Sequence, residues 1–237
     1  MVTLKQAAKW LLPPLLLLPF RQGHRATPDG PPRWHRGDFP DWQSAVAAAK
    51  GYQAGNILDI QRRSMRKVRD GQAVYERDSV LFDEIEYFFP TLAALLTIAG
   101  HNGNTLSVLD FGGALGSSYY QNRGMLSHLS SLRWHVVEQP HFVAAGQAEF
   151  ENDQLRFFPT LADSWAAQKP DVVLLSSVLQ YLEKPFDLLR DIADLEPRFI
   201  LVDRTPVLDK GQERIVVQTV PPSIYPASYA CRLFAPG

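Results

Sequence analysis

The sequence predicts a doubly wound α/β domain, in which helices cover both faces of a parallel sheet. From about residue 101 onward, short β-rich runs alternate with helical stretches. The runs are continuously apolar, as in residues 172–175, which is typical of strands buried on both faces. The first run ends in an acidic residue and a glycine-rich turn, at the edge where such sheets bind their ligands.

The composition narrows the class of protein. With 46% hydrophobic and 21% charged residues and a net charge of -1, the chain has material for one full-sized core. Its 15 Gly and 18 Pro are too few for a collagen-like or low-complexity chain. Cys231 is the only cysteine, which excludes an internal disulfide framework and a cysteine-based metal site within one chain. The balanced net charge argues against a nucleic-acid partner.

The N-terminal third is basic and carries an apolar run. Residues 1–75 hold 12 basic and five acidic residues, and the rest of the chain holds 12 basic and 20 acidic ones. The apolar run at residues 10–20 contains three prolines and falls short of the ~20 residues of a membrane span. No small-residue cleavage site follows it. We expect a cytoplasmic protein whose residues 1–25 either contact the inner membrane peripherally or pack on the protein's own body.

The chain is predicted to have three parts, of which two precede residue 101. We predict an arm and linker at 1–40, a helical cap region at 41–100 and the main domain at 101–237. The cap contains helices at 42–50 and 57–69, the latter with a basic face that either binds phosphate or lipid or is simply solvated. A third helix, capped by Asp78 or Ser79, runs to Gly100 with a kink at Pro90.

The main domain follows the strand–helix alternation. Strands are predicted at 107–111, 133–138, 155–158, 171–177, 199–203 and 214–220, with helices at 117–129, 141–150, 162–168 and 185–195. Only about one strand and a tail follow Asp203. We therefore expect the C-terminal strands to be incomplete, which would leave an exposed sheet edge.

The glycine-rich turn after the first strand of the main domain distinguishes three kinds of nucleotide site. A P-loop is excluded because no G-x-x-x-x-G-K-[ST] occurs. The dinucleotide fingerprint fails because Ala114 and Ser117 occupy its later glycine positions when counted from Gly112. An acid followed by glycines at plus two, plus three and plus six resembles instead the first motif of class I S-adenosylmethionine-dependent methyltransferases. The residues are Asp110, Gly112, Gly113 and Gly116.

Longer strings resemble one small bacterial family of class I methyltransferases whose acceptors are largely uncharacterised and whose members occur near surface-polysaccharide genes. These strings are residues 75–82, 110–123, 136–139, 176–183, 203–206 and 217–225. The resemblance implies a Rossmann-like fold and S-adenosylmethionine as cofactor. It implies that Asp110 contacts the methionine end of the cofactor, with the glycine turn against it, and that Glu138 accepts hydrogen bonds from the ribose hydroxyls.

The candidate acceptor site lies at the ends of the fourth and fifth strands. Ser176 and Ser177 end the fourth strand beside the expected reactive end of the cofactor, and Gln180 and Tyr181 follow as candidates for shaping the acceptor pocket. The alternatives for the last two are a helix-start residue and a half-buried core tyrosine. Asp203 is the candidate general base. Arg204 is available either for an anionic acceptor group or for pairing with Asp203 or Asp209.

The resulting hypothesis is methyl transfer to a small-molecule or glycan-related acceptor without a metal ion, because such a displacement mainly needs alignment and exclusion of water. The oligomeric state stays open. Tyr75, Arg77 and Asp78 are candidates for a lid. Two alternatives remain: a nucleotide-fold scaffold that has lost catalysis, motivated by Ala114 and the short C-terminus, and a nicotinamide oxidoreductase, which the glycine spacing disfavours.

Overall fold

The computed structural model describes residues 34–49, 54–220 and 227–236, with side chains from Ile57 onward in the helix that begins at Ala54. The arm predicted at residues 1–25 lies outside this part of the chain. The strands are β1 (His35–Phe39), β2 (Tyr75–Arg77), β3 (Val80–Phe82), β4 (Thr105–Phe111), β5 (Ser131–Val137), β6 (Leu155–Phe158), β7 (Val172–Ser176), β8 (Phe199–Asp203), β9 (Arg214–Thr219) and β10 (Ser228–Leu233). The helices are α1 (Trp42–Ala48), α2 (Ala54–Arg69), α3 (Phe89–His101), α4 (Ser117–Asn122), α5 (Pro140–Glu149), α6 (Leu161–Ala167) and α7 (Pro185–Asp194).

The central sheet has five parallel strands in the order β6-β5-β4-β7-β8. Alternate residues of β4 point to opposite faces, so Val108 joins one apolar cluster and Leu109 the other. Helices α2 to α5 cover the first face, and α6 and α7 cover the second. The sheet is therefore doubly wound and Rossmann-like, as predicted, and its strand order reverses beside β4.

The N-terminal strand β1 and the two C-terminal strands β9 and β10 form a second, antiparallel sheet in the order β1-β9-β10. His35–Phe39, which we expected in a linker, is one of its two edge strands, and α1 packs on this sheet through Ala45. The central sheet ends at β8, so the expected sheet edge is present. Strands β9 and β10 form a hairpin that pairs with β1 and does not extend the central sheet. The two sheets meet at the 3-10 turn Leu179–Tyr181.

A hairpin replaces the first half of the helix predicted from residue 78 to 100. Strands β2 and β3 pair in antiparallel fashion, and Asp78 and Ser79 form the turn between them with φ of 53° and 69°. Helix α3 begins only at Phe89, with Pro90 in its first turn. Proline fits there because the first N–H groups of a helix have no intrahelical partner, so Pro90 starts the helix and does not kink it. The helix predicted at 117–129 likewise ends early, at Asn122.

The basic face of α2 is used to dock this helix on α5. Arg62 and Arg66 both donate hydrogen bonds to the Glu149 carboxylate, with Nε–O distances of 2.9 Å and 2.6 Å, respectively. Arg69 donates to the Glu149 carbonyl oxygen at 3.0 Å and lies over the Phe150 ring. Three cations of the face are therefore engaged within the protein, which disfavours a phosphate or lipid site there. Among the described helices, none is long and apolar enough to cross a membrane.

The substitution Glu149→Gln should lower the free energy of unfolding at pH 7 by about 1–2 kcal/mol, because it removes a carboxylate held by two guanidinium groups. The hydrogen bond from Arg66 has the largest effect on the pKa of Glu149 and, together with Arg62, lowers it to about 2. A lowered pKa stabilises the folded state above the unfolded pKa of about 4.3, and this stabilisation is lost as pH falls from about 5 to 2. Urea unfolding of both proteins measures it. Glu84→Gln, at an exposed position, is the control. If the difference in free energy of unfolding between the wild type and Glu149→Gln did not depend on pH, the ion pairs of Glu149 would not contribute as described.

Candidate functional site

Asp110 lies beneath the glycine turn at the end of β4. Its side chain is 1% exposed, and its Oδ2 accepts a hydrogen bond from Trp134 Nε1 at 3.0 Å. A Cβ atom built on Gly113 would lie 2.6 Å from the Asp110 carboxyl carbon, so the turn closes directly over the acid. Burial raises the pKa of Asp110 to about 7, against the opposing effects of Trp134 and Arg204. The carboxyl group thus lies directly against the turn.

The glycines of the turn are required by conformation as well as by space. Gly112 has φ of 72°, and a Cβ atom there would lie 2.6 Å from Val178 Cγ2. Gly116 has φ of 90° and precedes α4 as its N-terminal cap. Ala114 adopts φ of 53° without being glycine, a conformation that costs about 1–2 kcal/mol in most L-residues. The middle position of the motif is therefore occupied by an alanine in a glycine-like conformation.

Glu138 follows β5 and faces the same turn. Strands β4 and β5 pair in parallel with Asp110 opposite Val136, so the two acids lie at neighbouring strand ends. The Glu138 carboxylate accepts hydrogen bonds from the backbone N–H groups of Gln139, at 2.6 Å, and Ala114. Burial raises its pKa. A carboxylate has about four acceptor positions, so this group retains capacity for a ligand's hydroxyls, and the turn beside it fits a nucleoside cofactor.

The other predicted residues form a second cluster, at the ends of β7 and β8. Ser176 Oγ donates to Asp203 Oδ2 at 2.9 Å, and Gln180 Nε2 donates to Ser177 Oγ at 2.9 Å. Asp203 and Gln180 are 8% and 3% exposed, yet Asp203 Oδ1 and Gln180 Oε1 have no hydrogen-bond partner within the described part of the chain. Buried acceptors are normally satisfied, so two orphaned oxygens mark a place where a ligand's donors would be bound.

Two clefts border this cluster, with about 400 and 560 Å³ of space when their open mouths are included. We call the first the hairpin cleft, which is lined by Tyr75, Arg77, Phe88, Thr91, Ser118, Gln121, Asn122, Leu174, Ser176, Asp203 and Arg204. We call the second the small-sheet cleft, which is lined by His35, Ser177, Gln180, Tyr181, Arg204, Thr205, Pro206 and Gln218. Without the open mouths, the small-sheet cleft encloses about 300 Å³, the lower end of the range for small-molecule sites, and the hairpin cleft encloses about 30 Å³. Arg204 lines both clefts.

Sequence reasoning missed His35 and Gln218. The two residues are paired across β1 and β9, and the Gln218 side chain hydrogen-bonds the His35 imidazole. Tyr181 donates its hydroxyl hydrogen to Gln218 Oε1 at 2.9 Å, so the predicted tyrosine joins this network. Burial lowers the pKa of His35, and the imidazole is therefore neutral at pH 7. No local pattern pointed to these residues, because only the pairing of distant segments brings them together.

Glu76 was also missed. This buried residue of β2 accepts hydrogen bonds from Ser117 Oγ, at 2.6 Å, and from the backbone N–H of Ser79. Burial raises its pKa to about 7. It links the hairpin to the first residue of α4, directly after the glycine turn. Tyr75 and Arg77, which we predicted as lid residues, line the hairpin cleft on either side of it in sequence.

No protein-family model and no curated protein matches the chain. The structure is similar to solved structures of methyltransferases. The N-terminal domain of EvdMO1, solved in the presence of SAH and D-fucose, is 15% identical, with coverage of 75% of this chain and 80% of that chain and a TM-score of 0.39. The Burkholderia thailandensis 1,6-didemethyltoxoflavin-N1-methyltransferase, with bound 1,6-didemethyltoxoflavin and S-adenosylhomocysteine, is 18% identical, with coverage of 79% and 76% and a TM-score of 0.37.

The mitomycin 7-O-methyltransferase MmcR is 18% identical, with coverage of 63% of this chain and 51% of that chain and a TM-score of 0.35. These identities and TM-scores indicate distant similarity. The fold of this chain therefore rests on its own strand order and register.

Proposed function

We propose that the protein is an S-adenosylmethionine-dependent methyltransferase that acts on a small-molecule acceptor. The observation that carries the proposal is the pair of acids, Asp110 and Glu138, that flank one glycine turn at the ends of neighbouring strands. Ligands of doubly wound sheets bind beyond the carboxyl ends of the strands, where the strand order reverses, and this turn occupies that place. A glycan-related acceptor remains a prediction of the sequence resemblance.

Each residue of the first cluster has a stated task. Glu138 would accept hydrogen bonds from the two ribose hydroxyls, which its free acceptor positions permit. Gly112, Gly113 and Gly116 would let the cofactor lie against the backbone. Asp110, which is almost fully buried, would act from below by holding the turn in place. When bound, S-adenosylmethionine supplies an electrophilic methyl carbon.

The second cluster would receive the acceptor. Ser177, Gln180 and Tyr181 line the small-sheet cleft, where the orphaned Gln180 Oε1 is available to a donor of the acceptor. An acceptor hydroxyl or amine must lose a proton, and Asp203, which lines the neighbouring hairpin cleft and has an orphaned Oδ1, is our proposed base. The small-sheet cleft is open to solvent, so the bound acceptor itself would have to exclude water, which favours methyl transfer to the acceptor over hydrolysis.

The test is calorimetric titration of the purified chain with S-adenosylmethionine and S-adenosylhomocysteine. We expect both to bind, and we expect Glu138→Ala to weaken binding by about tenfold or more, because hydrogen bonds to a charged group contribute about 1.5–3 kcal/mol. The matched control is Asp153→Ala, which removes an exposed carboxylate elsewhere and should leave binding unchanged.

Two outcomes would contradict this proposal. A folded wild-type chain that binds neither compound would favour the scaffold without catalysis. Binding that is equally strong in Glu138→Ala would show that the ribose hydroxyls are held by other residues. A parallel titration with NAD tests the oxidoreductase alternative.

A further inference from the structure

Left-handed backbone conformations mark three strand ends of the central sheet. Ala114, Ser177 and Arg204 follow β4, β7 and β8, and have φ of 53°, 59° and 50°. Such conformations cost about 1–3 kcal/mol in non-glycine residues and occur preferentially at functional sites. Two of the three residues, Ser177 and Arg204, also line the small-sheet cleft. Arg204 is the one that carries a charge.

Among the residues that the structure describes, few contacts engage the guanidinium group of Arg204. Its Nε donates a hydrogen bond to Ser176 Oγ at 3.2 Å, while the nearest Asp203 oxygen lies at 3.9 Å. That oxygen already accepts the Ser176 hydroxyl. Since the hydrogen bond of Arg204 uses Nε, its two terminal amino groups are available to a ligand in the clefts that it lines.

Arg77 brings a second guanidinium group to the hairpin cleft. It lies over the Phe82 ring at 5.3 Å and is 3.5 Å from Glu86, whose side chain is 66% exposed. An exposed ion pair at this distance is weak, so Arg77 can exchange Glu86 for a ligand. Against these two cations, the hairpin cleft is lined by one carboxylate, Asp203, and by the polar side chains of Ser118 and Gln121.

The remaining acids near Arg204 do not neutralise the cleft. Asp110 and Glu76 both interact electrostatically with Arg204. Both are buried, and they accept hydrogen bonds from Trp134 and Ser117, respectively. Burial raises the pKa of each to about 7, so each is partly protonated at neutral pH. The hairpin cleft therefore has an excess of positive charge and of hydrogen-bond donors, which is the chemistry that recognises an oxyanion.

We propose that Arg204, assisted by Arg77, binds a carboxylate or a phosphate group in the hairpin cleft. The assignment of its source rests on the proposed function: the anion is either the carboxylate of the cofactor's own methionine part or an acidic group on the acceptor. Arginine suits both because its planar donors match the two oxygens of such a group.

The first measurement is the binding of inorganic phosphate to the full chain, which is monitored by ³¹P NMR. We expect Arg204→Gln to weaken phosphate binding by about tenfold, the loss of one charge-assisted interaction. Arg77→Gln should weaken it less, and Arg204→Lys should retain part of it. Arg190→Gln is the control, because Arg190 is an exposed residue of α7 paired with Asp187. Circular dichroism and thermal unfolding verify that each variant is folded.

The second measurement identifies the source of the anion, by calorimetry with S-adenosylhomocysteine and with its decarboxylated analogue. If Arg204→Gln weakens binding of the first compound but not of the second, the site takes the cofactor's carboxylate. If phosphate still binds to the protein saturated with S-adenosylhomocysteine, and Arg204→Gln abolishes this binding, the site takes an acidic group of the acceptor.

The proposal is overturned if folded Arg204→Gln binds phosphate and both nucleoside compounds as tightly as the wild type. Failure of the methyltransferase assignment is distinguishable. In that case the wild type would bind neither nucleoside compound, while the Arg204-dependent binding of phosphate would persist and still support the anion site.

Discussion

Replacing Gly146 by Ala should lower the free energy of unfolding by about 3 kcal/mol, the upper part of the range for overpacking a core. A Cβ atom at this buried position of α5 would lie 2.5 Å from Cδ1 and Cγ of the Phe157 ring. Phe157 itself lies in β6, an edge strand of the central sheet, and is buried in a close-packed apolar cluster. The helix would have to shift away from the sheet.

The matched control is Gly100→Ala in α3, where nothing lies within 4 Å of the added Cβ atom. This substitution should leave stability unchanged or raise it by up to about 1 kcal/mol, since alanine is the better helix former. Urea unfolding followed by circular dichroism compares the two variants with the wild type. Equal effects at the two glycines would show that α5 does not pack on Phe157 as described.

The second large effect concerns the pH dependence that Asp110 imposes on stability. Because burial raises its pKa to about 7 while the unfolded value is about 3.9, the folded state holds a proton that the unfolded chain releases. A raised pKa in a folded acid destabilises the protein as pH rises from about 4 through 7. The stability of Asp110→Asn relative to the wild type should therefore increase by about 2–3 kcal/mol between pH 5 and pH 8.

Urea unfolding of both proteins at these two pH values measures the difference. The contributions of Glu76 and Glu138, whose pKa values are also raised, are present in both proteins and cancel, apart from the charge interaction between Glu138 and Asp110. Asp153→Asn, at an exposed position, is the control. A constant difference for Asp110→Asn would mean that this carboxyl group titrates as an ordinary surface acid.

Most of the central sheet could be predicted from the sequence because its signals are local. Continuous apolar runs such as Val172–Ser176 are stable only when both faces are covered, so they indicate parallel strands directly. The glycine turn could likewise be predicted, because Gly112 and Gly116 adopt left-handed conformations that favour glycine, and the glycines are visible in the sequence. The same reasoning misread the segment from Asp78 to Gly100. Its helical spacing continued across a hairpin, and a proline in a first turn was read as a kink.

The candidate site divides in the same way. Asp110, Glu138, Ser176 and Asp203 could be proposed from the sequence because each lies at or next to the end of a predicted strand. His35 and Gln218 were not found, because a short strand in a proline-rich segment carries little local signal and gains its stability from pairing with β9. Whether a basic helix face is free or bound was also undecidable from spacing, since the partner of Arg62 and Arg66 is Glu149, far away in the chain.

The sequence by itself determined the doubly wound sheet, the position of the glycine turn and the two acids that flank it, because periodicity and turn chemistry depend on near neighbours. Only the tertiary structure decided that β9 and β10 pair with β1 and that His35 and Tyr181 share a cleft. It also decided that Arg204 faces two clefts, with Arg77 lining one of them. These features depend on contacts between distant segments, and their free energy comes from burial and hydrogen bonding that no local pattern records.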